Sequence, residues 1–276
     1  MDRRNFVKSL RDGVSGSFLV GGLGGAIVGG GSVAACAANE RLGRVGKLSY
    51  AQQGEDLVVQ NLLDMVHIKG PITYLDIGAY DPIFDSNSYA FYLAGGHGVL
   101  VEPNPGKVDR LRTVRPRDKT LNVGVGLSAG PTTGDYYVIG GTSGGLLNTF
   151  SKEDAEGVQA KSHGAQFIEK VLKMPLVNIN TLIQEQLGGA PNFLSIDTEG
   201  LDLGILKTMD FERYRPDVIC VETLEVGGDA VSADILRLLE TKRYSARGAT
   251  FVNTIFVDDR HLSQPGPLTA PLRSKT

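Results

Sequence analysis

An α/β fold, doubly wound around a mostly parallel sheet, is predicted by three features of this sequence. Short apolar runs alternate with amphipathic stretches from residue 49 to residue 257, the pattern of strand–helix–strand units. Four of those runs end in an acid just past the strand: Asp76, Glu102, Asp197 and Glu222. Ligands on such sheets bind outside the carboxyl ends of the strands, so these acids are expected to gather along one rim. Finally, Tyr244–Ala246 and Asn253–Val257 make a closing hairpin-like pair, which places an antiparallel strand at the C-terminal end of the sheet.

Taken in order, Ser49 is a candidate N-cap with Gln52 three residues on, as in a capping box. Leu57, Val58, Leu62, Leu63 and Val66 then recur at helical spacing, and Gly70-Pro71 ends the segment. Ile72–Ile77 reads as the first strand, Gly98–Val101 as the second and Thr120–Val125 as the third. Thr133–Ile139 alternates like an edge strand. Residues 140–153, rich in glycine, serine and threonine at their start, suit a mobile loop over an acceptor. Lys152–Leu172 is amphipathic and predicts a helix, followed by a short strand at Leu176–Ile179. Phe193–Ile196 and Val218–Val221 are further strands, and Ala233–Thr241 is helical. From Arg260 onward the chain has three prolines and no periodicity, which predicts disorder.

Composition excludes several classes. The chain has 276 residues, 41% hydrophobic and 21% charged, as in soluble globular proteins. Its formal charge of -3 gives no electrostatic footprint for nucleic acid. Lys107, Arg110, Arg112, Arg115, Arg117 and Lys119 form a basic run that reads as a solvated helix face and loop. Cys36 and Cys220 are the only cysteines, and Cys36 lies in the leader, so the domain has no internal disulfide. Scattered histidines (His97 read as a turn residue, His163 as exposed on a helix) and the lack of CxxC or HExxH spacing argue against zinc.

Residues 1–38 read as a leader outside the fold. Arg3-Arg4-Asn5-Phe6-Val7-Lys8 fits a twin-arginine export signal, and residues 13–31 hold nine glycines in nineteen positions. Val33-Ala34-Ala35 offers a small-residue cleavage site, and with Cys36 it also fits a lipid-attachment motif. The expectation is a membrane-associated or exported protein, possible partners including the export machinery, with membrane contact through the leader only; otherwise it is cytoplasmic. Residues 39–48 form a linker to the domain at 49–259.

The first two strand ends suggest the cofactor. A dinucleotide site needs GxGxxG aimed at a pyrophosphate, and Asp76-Ile77-Gly78 lacks the further glycines and would repel phosphate. The arrangement suits S-adenosyl-L-methionine (SAM), with a ribose diol and a cationic tail. Glu102 is the candidate for both ribose hydroxyls. Gly78 allows close backbone approach, and Asp76 can meet the ammonium or cap the next helix. Ala79 and Asn104 are further candidate cofactor contacts. Gln53 and Glu55, with Asp56, either pack over the cofactor or are first-turn acids of their helix. Asp197 is the candidate base or acceptor-orienting group and Glu199 the second; Glu199 also fits a helix N-terminal acid. Glu222 either contacts the acceptor or is structural. A divalent metal between Asp197 and Glu222 lacks an evident third ligand, so no metal is assigned.

Several motifs in order carry a family resemblance over residues 49–257. They are Ser49-Tyr50-Ala51-Gln52-Gln53-Gly54-Glu55-Asp56, Leu75-Asp76-Ile77-Gly78-Ala79-Tyr80-Asp81-Pro82 and Ser86-Asn87-Ser88-Tyr89. Val101-Glu102-Pro103-Asn104-Pro105, Ile196-Asp197-Thr198-Glu199-Gly200 and Pro216 through Glu222 complete the set. The chain resembles the FkbM family of SAM-dependent methyltransferases. That resemblance implies a class I methyltransferase (Rossmann-like) fold and O-methylation of a hydroxyl, often on a glycan or secondary metabolite. Ser195 departs from the family, which commonly has lysine there, and this bears on the acceptor class. The alternative is an exported or lipid-anchored binding protein on an inactive methyltransferase scaffold.

Overall fold

Short apolar strands buried on both faces build the centre of the molecule. The computed structural model describes residues 47–224 and 230–263. The paired arginines, the glycine-rich segment, Cys36, residues 39–46 of the linker and the tail beyond residue 263 lie outside the described residues. β1 (Thr73–Ile77), β2 (His97–Val101), β3 (Lys119–Leu121), β7 (Phe193–Ile196) and β8 (Val218–Glu222) are parallel. β10 (Asn253–Asp258) pairs antiparallel with β8 and with β9 (Tyr244–Ala249), giving the order β3-β2-β1-β7-β8-β10-β9. The expected doubly wound α/β sheet with an antiparallel C-terminal strand is therefore present. Its strand order reverses between β1 and β7, the point where a crevice opens.

Period-two alternation sorts the strand residues onto two faces. Leu75, Ile77, Val99, Val101, Leu194 and Ile196 face one core. It is covered by α5 (Ile179–Leu182), which continues into a π-helical turn (Ile183–Leu187), and by α6 (Asp202–Thr208) and α7 (Ala233–Thr241). Tyr74, Leu100, Phe193 and Cys220 face the other core, under α1 (Glu55–Met65), α2 (Tyr89–Leu93) and α3 (Pro105–Val114).

Several expectations require correction. The third strand, read as Thr120–Val125, divides into β3 and β4 (Gly124–Gly126), which belong to different sheets. β4 joins β6 (Gln166–Asn178) and β5 (Thr132–Gly141) in a small sheet of order β4-β6-β5. The helix expected over Lys152–Leu172 stops at α4 (Lys152–Lys161); a turn with Gly164 at φ 88 follows, and residues 166–178 are the strand β6. Phe167, Ile168, Val171 and Val177 favour a strand, and Pro175 cannot sit inside a helix. His163 accordingly sits exposed in that turn, with φ 51, and His97 begins β2. Ser49 is not an N-cap: Gly54 precedes α1 with φ 92, and the Ser49 hydroxyl donates to Asp56 at 2.5 Å. Asp56 also accepts from the Tyr50 and Leu57 amides, so this buried carboxylate, not a serine, organises the entry to α1.

The basic run is not uniformly solvated. Arg115 is fully buried and pairs with Asp118 at 2.7 Å. Asp118 also accepts from the Tyr74 hydroxyl and the Gly98 amide, both at 2.8 Å. The Arg115 guanidinium donates to Ser86 and Ser88, so one internal cation ties the β1–α2 loop to the β2–β3 edge. Arg260, where disorder was expected to begin, is ordered in a 3-10 turn and pairs with Asp258 at 2.7 Å.

Candidate active site

The carboxyl ends of β1, β2 and β7 are joined by backbone bonds before any side chain contributes. Gly78 N and Ala79 N donate to the Val101 carbonyl, Glu102 N to that of Leu121, and Asp197 N to that of Ile77. Above them opens a cleft of about 690 Å³, including space shared with solvent. Gly78, Glu102, Asp197 and Glu199 all line it. Gly78 has φ 87, and a Cβ there would fall 1.9 Å from the Asp197 carbonyl oxygen. No other residue fits between the two strand ends without displacing one of them.

Glu102 is buried, with each carboxylate oxygen held by a different amide. Oε1 accepts from Asn104 N at 2.7 Å and Oε2 from Tyr80 N at 2.8 Å. A carboxylate oxygen has two lone pairs, so each can still accept one hydroxyl from the cleft. Burial raises its pKa to about 7, against the lowering pull of those two amides and of Lys107. Tyr80, itself at φ 45, donates through its hydroxyl to the Gly144 carbonyl at 3.2 Å, and Lys107 Nζ lies 3.8 Å over its ring. Asn104 caps α3, its side chain accepting from Gly106 N at 3.0 Å.

Asp76 does not line the cleft. It sits one residue before Ile77, so alternation turns it to the opposite face of the sheet, where it is buried with Ser88 and Ser195 as hydrogen-bond partners. Burial holds its pKa above the usual carboxylate range, opposed chiefly by Arg115. Ala79 is buried and also lies outside the lining. Gln53 and Glu55 are engaged elsewhere. Glu55 accepts from Thr250 Oγ1, Asn253 Nδ2 and Gln53 N, and the Gln53 side chain accepts from Phe251 N. Together they fasten the start of α1 to the β9–β10 turn.

Asp197, Glu199 and Glu222 converge, with ligand oxygens within 4.8 Å of one another. Glu199 thus supplies the third carboxylate that was not evident in the sequence, at a spacing a divalent cation can bridge. Glu199 has φ 52 and Gly200 φ 113, a conformation set from two sides. Asp202, buried at the start of α6, accepts from Thr198 N at 3.1 Å and Gly200 N at 3.3 Å. Thr149 Oγ1 donates to the Glu199 carbonyl at 3.1 Å.

The far wall of the cleft comes from the small sheet and the loop before α4: Tyr136, Gly145, Leu146, Asn148 and Phe150. The Tyr136 and Phe150 ring centroids are 4.8 Å apart, and Asn148 Oδ1 accepts from Ile139 N at 2.8 Å. Burial pushes the Tyr136 hydroxyl pKa well up, with Glu102 and Glu199 adding to the effect. Tyr136 and Asp202 escaped the sequence reading, Arg115 was read as solvated, and Thr149 was read only as part of the loop at 140–153. The only signal was the alternation over residues 133–139, which shows a strand but not what it faces.

No curated protein matches the chain. Among solved structures, a TehB-like SAM-dependent methyltransferase from Corynebacterium glutamicum is 10% identical with TM-score 0.39, covering 82% of this chain and 97% of that one. Magnesium protoporphyrin IX methyltransferase from Synechocystis with bound SAM is 12% identical with TM-score 0.38, covering 85% and 100%. An O-methyltransferase from Bacillus cereus in complex with SAH is 11% identical with TM-score 0.39, covering 92% and 97%. The sequence itself matches the methyltransferase FkbM domain over residues 76–246, from the first strand-end acid to β9. The chain therefore belongs to the FkbM family of methyltransferases.

Proposed function

We propose that the chain transfers a methyl group from SAM to a hydroxyl, on a glycan or a secondary metabolite. The observation that carries this reading is the pairing of Glu102 and Gly78 across one cleft with Asp197 and Glu199. Glu102 offers an acceptor on each oxygen to a vicinal diol, and Gly78 leaves room for a ligand to approach the backbone. The apolar wall of Leu146, Phe150 and Val125 suits the face of a purine. When bound, SAM supplies a methyl on a positively charged sulphur, transferred in line to the acceptor oxygen. Asp197 or Glu199 takes the hydroxyl proton, and the nearby carboxylates, Glu222 among them, favour a cationic ligand end. Positioning supplies much of the rate of such a displacement, which is why the doubly held Thr198–Gly200 loop matters.

The test is incubation of the full chain with methyl-labelled SAM and hydroxyl-bearing acceptors, following label transfer and S-adenosylhomocysteine (SAH) release. Label on oxygen, lost in Glu102→Ala, supports the reading; label found on nitrogen or carbon would overturn the O-methyl assignment. Activity that survives EDTA assigns the three acids to proton transfer and ligand charge. Loss restored by Mg²⁺ would assign them to a metal instead. The paired arginines Arg3-Arg4 favour a second reading, a membrane-anchored or exported binder that no longer transfers methyl. Recovery of the protein outside the cytoplasmic membrane, without SAH release on any acceptor, would favour that one.

A further inference from the structure

A second cavity lies at the other end of the sheet, where the parallel strands begin. It encloses about 740 Å³, including space shared with solvent, between the starts of β1, β2 and β3 and the chain around the π-helical turn. Its basic lining is His97, Arg117 and Lys119, with no acid among the lining residues. That is the opposite of the chain as a whole, whose formal charge is -3. Strand register brings these residues together: Thr73 pairs with His97, and Val99 with Lys119. Arg117, just before β3, lies 3.8 Å over the Tyr92 ring and donates to the Tyr92 carbonyl, which fixes its guanidinium while leaving further N–H donors. The side chains of His97 and Lys119 have no hydrogen bond or ion pair among the described residues, the His97 amide donating to the Ile72 carbonyl.

Gln186, in the π-helical turn, adds an independent observation. Its side-chain oxygen is buried and has no hydrogen-bond partner among the described residues, and the residue lines this cavity. π-Helical turns are rare and recur at functional sites. A carboxamide carries two donors as well as an acceptor, so Gln186 can serve a partly protonated oxyanion in either orientation. Arginine and lysine together suit phosphate, one as a planar fork and one as a point charge.

We propose that this cavity binds a phosphate-bearing anion, with Arg117 and Lys119 meeting its charge and Gln186 and His97 its oxygens. The site lies at the opposite ends of the strands from Glu102 and Asp197, so it is separate from the methyl-transfer cleft and both can be filled together.

The experiment titrates the full chain with inorganic phosphate at low ionic strength, by calorimetry or by amide chemical shifts. Saturable binding is expected, weakened at least about tenfold by Lys119→Glu and several-fold by Gln186→Leu, with melting temperatures near that of the wild type. Lys152→Glu, an exposed charge change on α4, should leave phosphate binding as it is. Two arms then distinguish the source of the phosphate. Co-sedimentation with phosphatidylcholine vesicles that contain phosphatidic acid, absent from plain phosphatidylcholine and lost in Lys119→Glu, assigns a lipid headgroup. Binding of glycerol 3-phosphate without such sedimentation assigns a soluble metabolite. No saturation by millimolar phosphate, or an equal loss from Lys152→Glu, would overturn the proposal.

Discussion

At Glu102, burial and hydrogen bonding pull in opposite directions, and burial wins: its pKa rises from 4.5 to about 7. The form that accepts two hydroxyls is the ionised one, so SAH affinity should climb about tenfold per pH unit below pH 7 and level off above it. Glu102→Gln should bind SAH at least about tenfold more weakly and lose that slope, since a bond to a charged group contributes about 1.5–3 kcal/mol. Folding stability moves the other way. Between about pH 4.5 and 7 the folded chain keeps a proton on Glu102 that the unfolded chain releases, so this residue's contribution to stability falls as pH rises. Denaturant midpoints at pH 5 and 8 should differ less in Glu102→Gln than in the wild type. Beneath the cleft, Arg115→Met leaves Asp118 without its cation in the interior and removes the positive charge that chiefly lowers the Asp76 pKa. Removing one partner of such a pair costs about 3–5 kcal/mol, and urea unfolding measures it.

Among the elements, the small sheet β4-β6-β5 and the loop that leads from it to α4 change the picture most, because they wall the cleft and hold the Thr198–Gly200 loop. Thr149→Val removes the bond to the Glu199 carbonyl, worth about 1 kcal/mol, and should speed amide exchange across Thr198–Gly200 about fivefold. Unchanged exchange there would mean that Asp202 alone sets the loop. This sheet was also the least legible part of the sequence. Residues 166–178 carry apolar side chains at both strand and helix spacings, and only the ten-position pairing with β5 decides between them. The core strands β1, β2, β7 and β8 were legible because continuous apolar runs bounded by turns have few alternatives. The strand-end acids were legible as a group, but their facing was not. A one-residue offset puts Asp76 behind the sheet while Ile77 lines the cleft. Glu55 likewise reads as a first-turn acid in the sequence, and its partners Thr250 and Asn253 lie 195 residues or more away in the chain.

For the whole molecule, family membership and the strand-end geometry lead to one account: a class I methyltransferase sheet whose β1, β2 and β7 ends share a single cleft. No helix among the described residues is long and apolar enough to cross a membrane. The acceptor side of the account rests on Asp197 and Glu199, and Asp197→Asn with Glu199→Gln should abolish methyl transfer while SAH binding, held by Glu102, is weakened but kept. The account's central claim is narrower and can be measured without knowing the acceptor. Calorimetric titration of the full chain with SAH should give one binding event per chain, weakened at least about tenfold in Glu102→Gln. No binding at millimolar SAH, or equal binding by the variant, would contradict it.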